Sequence, residues 1–268
     1  MKKYINFTFL CTLILCFCSF LFGSFTQTKL TFAKTDIVPS ELEIKEYRDF
    51  EHGILTSTTP AEEDVADIKI TDTIPSSNYT VVIDAGHGGP DPGSIGYKTK
   101  VYEADLNLKF SKLLKNKLEK SGINVVMTRT NENALAEGRG KAFKKRDMQM
   151  RKDIIKNTRP NMVVSIHQNS FTNHSLRGAQ VFYDKTSEIS KQIAELIQIE
   201  FKKNLPNANK SISPGDYYML KCTAAPSIIV ECGFLSNAEE EKLLQEDAYI
   251  SQIINSIYIG IINFLQIK

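Results

Sequence analysis

Four residues of this chain have the types and the placement to do chemistry together: His87, Glu103, His167 and Glu231. His87 follows the apolar run Val81-Val82-Ile83 in TVVIDAGHGG, inside a turn whose glycines at 86, 88 and 89 let the backbone fold tightly around the imidazole. His167 closes a second apolar run in SIHQN, and Glu231 directly follows Ser227-Ile228-Ile229-Val230. Glu103 lies in VYEADLNL, 16 positions after His87, where a helical pattern begins. Two imidazoles and one carboxylate make a catalytic zinc set with a fourth position left for water. Taken singly, the glycine turn is an ordinary strand-to-loop connection and each histidine an ordinary solvated or hydrogen-bonded side chain. Their shared placement at strand ends is what points to a site, since the other two histidines, His52 and His174, fall in a polar linker and in a loop.

Glu231 places a carboxylate at the end of a strand otherwise made of core residues, and burying it without a purpose is costly. Beside a metal-activated water, such a group can take the water's proton and return it to a leaving amine, which is what amide hydrolysis requires. The competing reading is a structural glutamate paired with an arginine such as Arg129 or Arg151.

These residues need a scaffold that brings distant strand ends together. The patterning predicts strands over Thr80–Asp84, Ile123–Thr128, Met162–Ile166, Ala179–Tyr183 and Ser227–Val230. It predicts helices over Glu103–Ser121, with Leu106, Phe110, Leu113, Leu114 and Leu118 inward, and over Asp147–Asn157, with Met150, Ile154 and Ile155 inward. Further helices follow over Ser187–Lys203, with Ile189, Ile193, Ile197 and Phe201 inward, then Ala238–Gln245 and Ala248–Leu265. Alternation of this kind gives an α/β fold with a mostly parallel or mixed sheet flanked by helices on both faces. Sites in such folds form outside the carboxyl ends of the strands.

Outside that domain the chain is different. Lys2 and Lys3 precede a mostly apolar run from Tyr4 to Phe25, the layout of a signal peptide or membrane anchor over 1–33, with Thr31-Phe32-Ala33 offering a cleavage site. Residues 34–78 are polar, carry Pro39, Pro60 and Pro75, and read as a linker, which leaves 79–268 as a single catalytic domain. The protein is therefore expected to be exported and to meet a membrane only through its N-terminal segment. A net charge of +2 gives no reason to expect nucleic acid, and the basic cluster Lys141–Arg151 reads mainly as a solvated helix face. Only Cys222 and Cys232 lie outside the export segment, so this is not a disulfide scaffold.

DAGHGG, the Tyr102-Glu103 pair, SIHQN at 165–169 and VECGFLSN at 230–237 together resemble the zinc-dependent N-acetylmuramoyl-L-alanine amidases of the Amidase_3 type. The likeness runs from about Thr80 to Leu265 and takes in Arg129-Thr130 and the D-x-x-x-R of Asp147 and Arg151. It implies a twisted six-stranded sheet, one Zn2+ held by His87, Glu103 and His167, and Glu231 as catalytic acid/base. It also implies peptidoglycan as substrate, cleaved between N-acetylmuramic acid and the L-alanine of the peptide stem. The short single-domain form, with an export segment and no wall-binding repeats, is most similar to the spore-cortex amidases of endospore formers. Those enzymes strip the peptide before a separate deacetylase helps form the muramic lactam. One departure is Asn131–Lys145, longer and more basic than the usual connection there.

Other classes make competing predictions. A catalytically inactive peptidoglycan-binding homologue would lack one of the four site residues, and a vegetative cell-wall autolysin would share all of them. A dinucleotide-binding oxidoreductase would need G-x-G-x-x-G running into a helix, which GHGGPDPG does not supply. A cysteine hydrolase would need Cys232 beside His167, yet strand alternation sends Glu231 and Cys232 to opposite faces. With no visible inhibitory helix, an accessory activator protein, or peptidoglycan itself, is a candidate for control, by ordering the Gly- and Pro-rich loop Pro90–Tyr102 and so fixing Glu103; the alternative is a rigid loop with a fully formed site.

Overall fold

Val81, Val82, Ile83 and Ala85 are buried, as are Met162, Val163, Val164 and Ile166, and Ile228, Ile229 and Val230. Runs that are apolar on both faces belong in a sheet covered on both sides. The computed structural model, which describes residues 79–267 apart from position 209, places them in such a sheet. The expected export segment and linker, 1–33 and 34–78, lie outside the described residues, as do Cys11, Cys16, Cys18 and His52.

The strands are β1 (Thr80–Ala85), β2 (Asn124–Met127), β3 (Met162–Asn169), β4 (Gln180–Tyr183), β5 (Ser213–Pro214) and β6 (Ser227–Phe234), in the order β2-β1-β3-β6-β4-β5. Neighbours among β2, β1, β3 and β6 pair in parallel, whereas β4 runs antiparallel to β6 and β5 parallel to β4. The helices are α1 (Glu103–Lys120), α2 (Gly140–Thr158), α3 (Glu188–Asn204), α4 (Tyr218–Lys221), α5 (Ala238–Leu243) and α6 (Asp247–Ile267). The result is a mixed six-stranded α/β fold, as the alternation predicts.

The two faces of the sheet are unequal. Val81, Ile83, Val164, Ile166, Val230 and Cys232 point into a large core shared with Phe110 and Leu114 of α1, Ile193 and Ile197 of α3, and Ile253 and Ile257 of α6. Val82, Val163 and Ile229 point the other way, onto a small cluster with Ile155 of α2 and Met219 and Leu220 of α4. Strand alternation sends Asp84, Ser165, His167 and Glu231 to this thinly covered face. The site is therefore built where helix cover is sparse. By length and composition α6 could cross a membrane. Here Ile250, Ile253, Ile257 and Ile261 are fully buried, and Gly260 lets its backbone approach Ile197 of α3 so closely that a Cβ would meet the Ile197 Cα at 2.8 Å.

Three helix faces differ from the periodicity. Leu113, Met150 and Ile189 are exposed. In α2 the buried stripe is Phe143, Asp147, Arg151 and Ile155 at four-residue spacing, so an aspartate and an arginine take the inward face that an apolar count assigns to Met150 and Ile154. This helix also begins seven residues earlier than expected. The stretch GKAFKKR is made largely of residues with good helix propensity, and Phe143 anchors it. The strand β5 and the helix α4 are too short for periodicity to reveal.

Candidate active site

His87 lies two residues beyond β1 with φ +62, a conformation uncommon for a residue with a side chain. Two buried arginines hold the turn. Arg129 donates from Nε to the Ala85 carbonyl and from Nη2 to those of Gly86 and Ala104, at 2.7–3.0 Å. Arg151 donates from Nη1 to the Ala85 carbonyl and from Nη2 to that of His87, at 2.7 and 2.6 Å. Carbonyls turned away from the sheet thus find charged donors, and the turn is fixed. Arg151 is itself fixed by Asp147 and by Asp84, each at 2.7 Å. Burial opposes ionisation of Asp84, but Arg151 and the hydroxyls of Ser165 and Thr128 prevail and hold its carboxyl at about 2. Neither Arg129 nor Arg151 pairs with Glu231, so the structural-pair reading of that glutamate fails. Both arginines are committed to the His87 turn.

His167 lies within β3 rather than just past it, and Glu103 is the first residue of α1, 3% exposed. The three side chains converge: His87 Nε2 is 3.2 Å from Glu103 Oε1, His167 Nδ1 is 2.9 Å from the same oxygen, and the imidazoles meet edge to face at 5.1 Å. Their ligand atoms lie within 4.8 Å of one another. Tetrahedral zinc with bonds of about 2.1 Å sets its ligands roughly 3.4 Å apart, so the spacing fits a metal. Glycines shape the cradle. A Cβ on Gly86 would run into the His167 ring, and one on Gly93 would meet Glu103 Oε2 at 2.5 Å and His87 Cδ2 at 2.8 Å.

Glu103 is also tied from outside, its Oε2 accepting from the Ser94 amide at 2.7 Å. The connecting loop is not loose as its Gly and Pro content suggests. Glu241 accepts from the amides of Lys98 and Thr99, and Tyr97 donates its amide to the Leu235 carbonyl, so Glu103 is held in place within the chain itself. Burial opposes ionisation of Glu103, but the two imidazoles overcome it and hold the carboxyl well below the usual range. Burial likewise opposes charge on His87, yet Asp91 and Glu103 raise it to about 9. Asp91, whose Oδ2 is 3.0 Å from His87 Nδ1, is a residue that reading the sequence missed; an acid four positions after the histidine was the available signal.

Glu231 stands in register with His167 on the adjacent strand. Burial is the main reason its carboxyl rises to about 7, and its Oε2 is sealed without a hydrogen-bond partner. All four residues line one cavity of about 370 Å³. Cys232 points into the core with a thiol raised well above its ordinary range, which removes it as a nucleophile, and Cys222 and Cys232 are both free. His174 stacks on Tyr97 and sits 2.6 Å from the Ser236 carbonyl, away from this cluster.

Residues 81–263 match the family model for N-acetylmuramoyl-L-alanine amidase. The chain belongs to this amidase family. It is 31% identical over 200 residues to the germination-specific N-acetylmuramoyl-L-alanine amidase of Bacillus subtilis, covering 73% of this chain and 84% of that protein. Among solved structures it resembles the CwlD amidase from Clostridioides difficile, determined in complex with the GerS lipoprotein, at 38% identity and TM-score 0.69 over 71% of this chain and 100% of that one. It also resembles the catalytic domain of the CwlV amidase from Bacillus (Paenibacillus) polymyxa, at 29% identity and TM-score 0.63 over 71% of this chain and 99% of that one. The amidase identity makes peptidoglycan the substrate, and an amide the bond, that this cavity must accommodate.

Proposed function

We propose that this amidase holds one zinc ion through His87, Glu103 and His167 and uses Glu231 as its acid/base to release the peptide stem from N-acetylmuramic acid. The observation that carries this reading is the convergence of two imidazoles and a carboxylate beside an unpartnered glutamate in one cavity. When bound, zinc supplies Lewis acidity, polarising the scissile carbonyl and acidifying water. Glu231 does the proton work: burial raises its carboxyl above the usual range in the metal-free site, and its carboxylate accepts a proton from water and returns it to the departing L-alanine nitrogen. Glu103 stays anionic and keeps the two rings in place, and Asp91 orients His87. The Oε2 of Glu231 is buried without a hydrogen-bond partner, so the side chain is not spent on a structural contact.

In cellular terms the reading is an exported enzyme of spore-cortex maturation, whose product feeds muramic lactam formation with a separate deacetylase. The likeness to the germination-specific amidase and to CwlD supports this narrower role over a vegetative autolysin. Residues 1–33 serve as signal or anchor, 34–78 as linker, and the zinc amidase domain begins at 79. An accessory activator protein remains part of the proposal, since CwlD was solved with the GerS lipoprotein bound. The test combines metal analysis of the purified protein with mass spectrometry of muropeptides before and after incubation. One zinc per chain and free peptide stems from intact glycan are expected. Glycan cleavage, or full stem release with metal removed, overturns the reading.

A further inference from the structure

The site cavity carries charge of both signs, most of it already paired. Asp84, Asp91, Glu103, Asp147 and Glu231 all line it, and only two permanent cations do so, Arg151 and Lys144. Arg151 is 1% exposed and its donors are spent on Asp84, Asp147 and two carbonyls. Lys144 is different. Its side chain is 60% exposed, and its ion-pair partner among the described residues is Asp91 Oδ2 at 3.2 Å, an oxygen His87 Nδ1 already contacts at 3.0 Å. Its ammonium has three donors, and the pairing with Asp91 does not use them all. It comes from the basic stretch GKAFKK, which folds as the first turns of α2 and sets Phe143 into the wall beside it.

The substrate brings charge of the opposite kind. Beyond L-alanine, the peptide stem of peptidoglycan carries carboxylates, free or amidated according to the source. Within the cavity Arg151 is committed to Asp84 and Asp147, and Glu103 to the two imidazoles, so the exposed Lys144 is the cation left to answer a free carboxylate. Through Asp91 and the His87 ring, the Lys144 ammonium lies within about 9 Å of the imidazole nitrogen that faces Glu103, the reach of two to three residues of extended chain. A carboxylate of the second or third stem residue falls within that reach of a scissile amide held beside the ligand cluster.

We propose that Lys144 is a specificity residue that reads a free carboxylate of the peptide stem on the leaving side of the scissile bond. This rests on the amidase reading of the same cavity. On approach the substrate carboxylate takes over part of the ammonium's pairing with Asp91, so Asp91 keeps His87 while Lys144 turns to the peptide. Full amidation of the stem removes the preference.

The test compares muropeptides of identical glycan and sequence, with the second- and third-residue carboxylates free, singly amidated or both amidated, on the wild-type protein and on Lys144→Gln. Lys144→Gln is expected to raise KM about tenfold for the free-carboxylate substrate with kcat kept, and to leave the doubly amidated substrate unchanged. The singly amidated pair tells which carboxylate is read. Calorimetric binding of the same muropeptides to Glu231→Gln protein, with and without Lys144→Gln, should give the same ratio without turnover. Equal effects on free and amidated substrates, or zinc content lowered in Lys144→Gln, would overturn the proposal, because either result makes Lys144 a structural neighbour of Asp91. If the wild-type protein releases no stem from any substrate, the amidase reading of the site fails instead.

Discussion

His167 and Glu231 stand opposite each other on β3 and β6, the last pair in register before the ladder shifts between His167 and Asn169. In-register residues of neighbouring parallel strands project to the same face with backbones about 4.8 Å apart. The sheet itself therefore sets the acid/base beside the metal-binding cluster, while Cys232, one residue on, turns into the core. No loop has to close to bring them together.

Glu231→Gln keeps the shape of the side chain and removes its ability to take a proton. The variant is expected to bind zinc as the wild type does and to lose at least about two decades of turnover. Stem release followed by mass spectrometry, normalised to measured zinc content, checks this. Near-normal turnover in a zinc-replete variant would mean that Glu231 is structural.

The same residue costs stability. A carboxyl raised from 4.5 to about 7 in the fold favours the folded state most below pH 4.5, and that advantage is lost as pH rises through 7, where the buried group must ionise. In metal-free protein, Glu231→Gln should therefore melt at a higher temperature than the wild type at pH 8, with the difference shrinking towards pH 5. The gap at pH 8 is on the order of 3 kcal/mol, several degrees for a domain of this size. Thermal melts across that pH range, with a chelator present, are the measurement. A gap independent of pH would contradict the burial argument.

The convergence of both histidines and Glu231 was legible because each sits where an apolar run ends, and that of Glu103 because it sits where a helical pattern begins; patterns of that kind survive folding. The support beneath them was not. Arg129, Arg151 and Asp147 are charged residues that fold inward, so periodicity assigns them to the surface and turns α2 towards Met150. Their burial is explained by partners that periodicity does not show: the carbonyls of residues 85–87 for both arginines, Asp84 and Asp147 for Arg151, and the amides of Leu135 and Ala136 for Asp147. The loop 90–102 was open to either reading in the sequence: Gly93 and Pro92 are compatible with looseness, while the carboxylate that pins the loop comes from Glu241, more than 140 positions away.

Zinc binding should expel a proton from His87. In the metal-free chain Asp91 and Glu103 hold that imidazole at about 9 despite its burial, so at pH 7 it is protonated and cannot ligate. Zinc affinity is then expected to climb by about tenfold per pH unit towards pH 9, with close to one proton from this group released per zinc at pH 7. Calorimetry in buffers of different ionisation enthalpy reads the proton count directly. Flat affinity between pH 7 and 9 would show that His87 is already neutral.

Gly86 offers the sharpest test of how the ligand cradle is built. Gly88 and Gly89, its neighbours in the turn, adopt left-handed conformations, so substituting them strains the backbone whatever surrounds them. Gly86 is not in that region, and its need for hydrogen in place of a side chain comes from contact alone: a methyl there would overlap the His167 imidazole. The ring cannot simply retreat, because its Nδ1 is engaged with Glu103 and its backbone is bonded into β3 between β1 and β6. Gly86→Ala should therefore rotate or displace the imidazole while the strands persist. The expected result is a cooperative unfolding transition lowered by about 1–3 kcal/mol and a zinc affinity reduced on the order of 10- to 100-fold, the scale on which misoriented ligands act. Chelator competition gives the affinity and thermal melting of the metal-free protein gives the fold. Unchanged zinc affinity in a folded Gly86→Ala protein would place the metal away from His167 and, with it, away from Glu231.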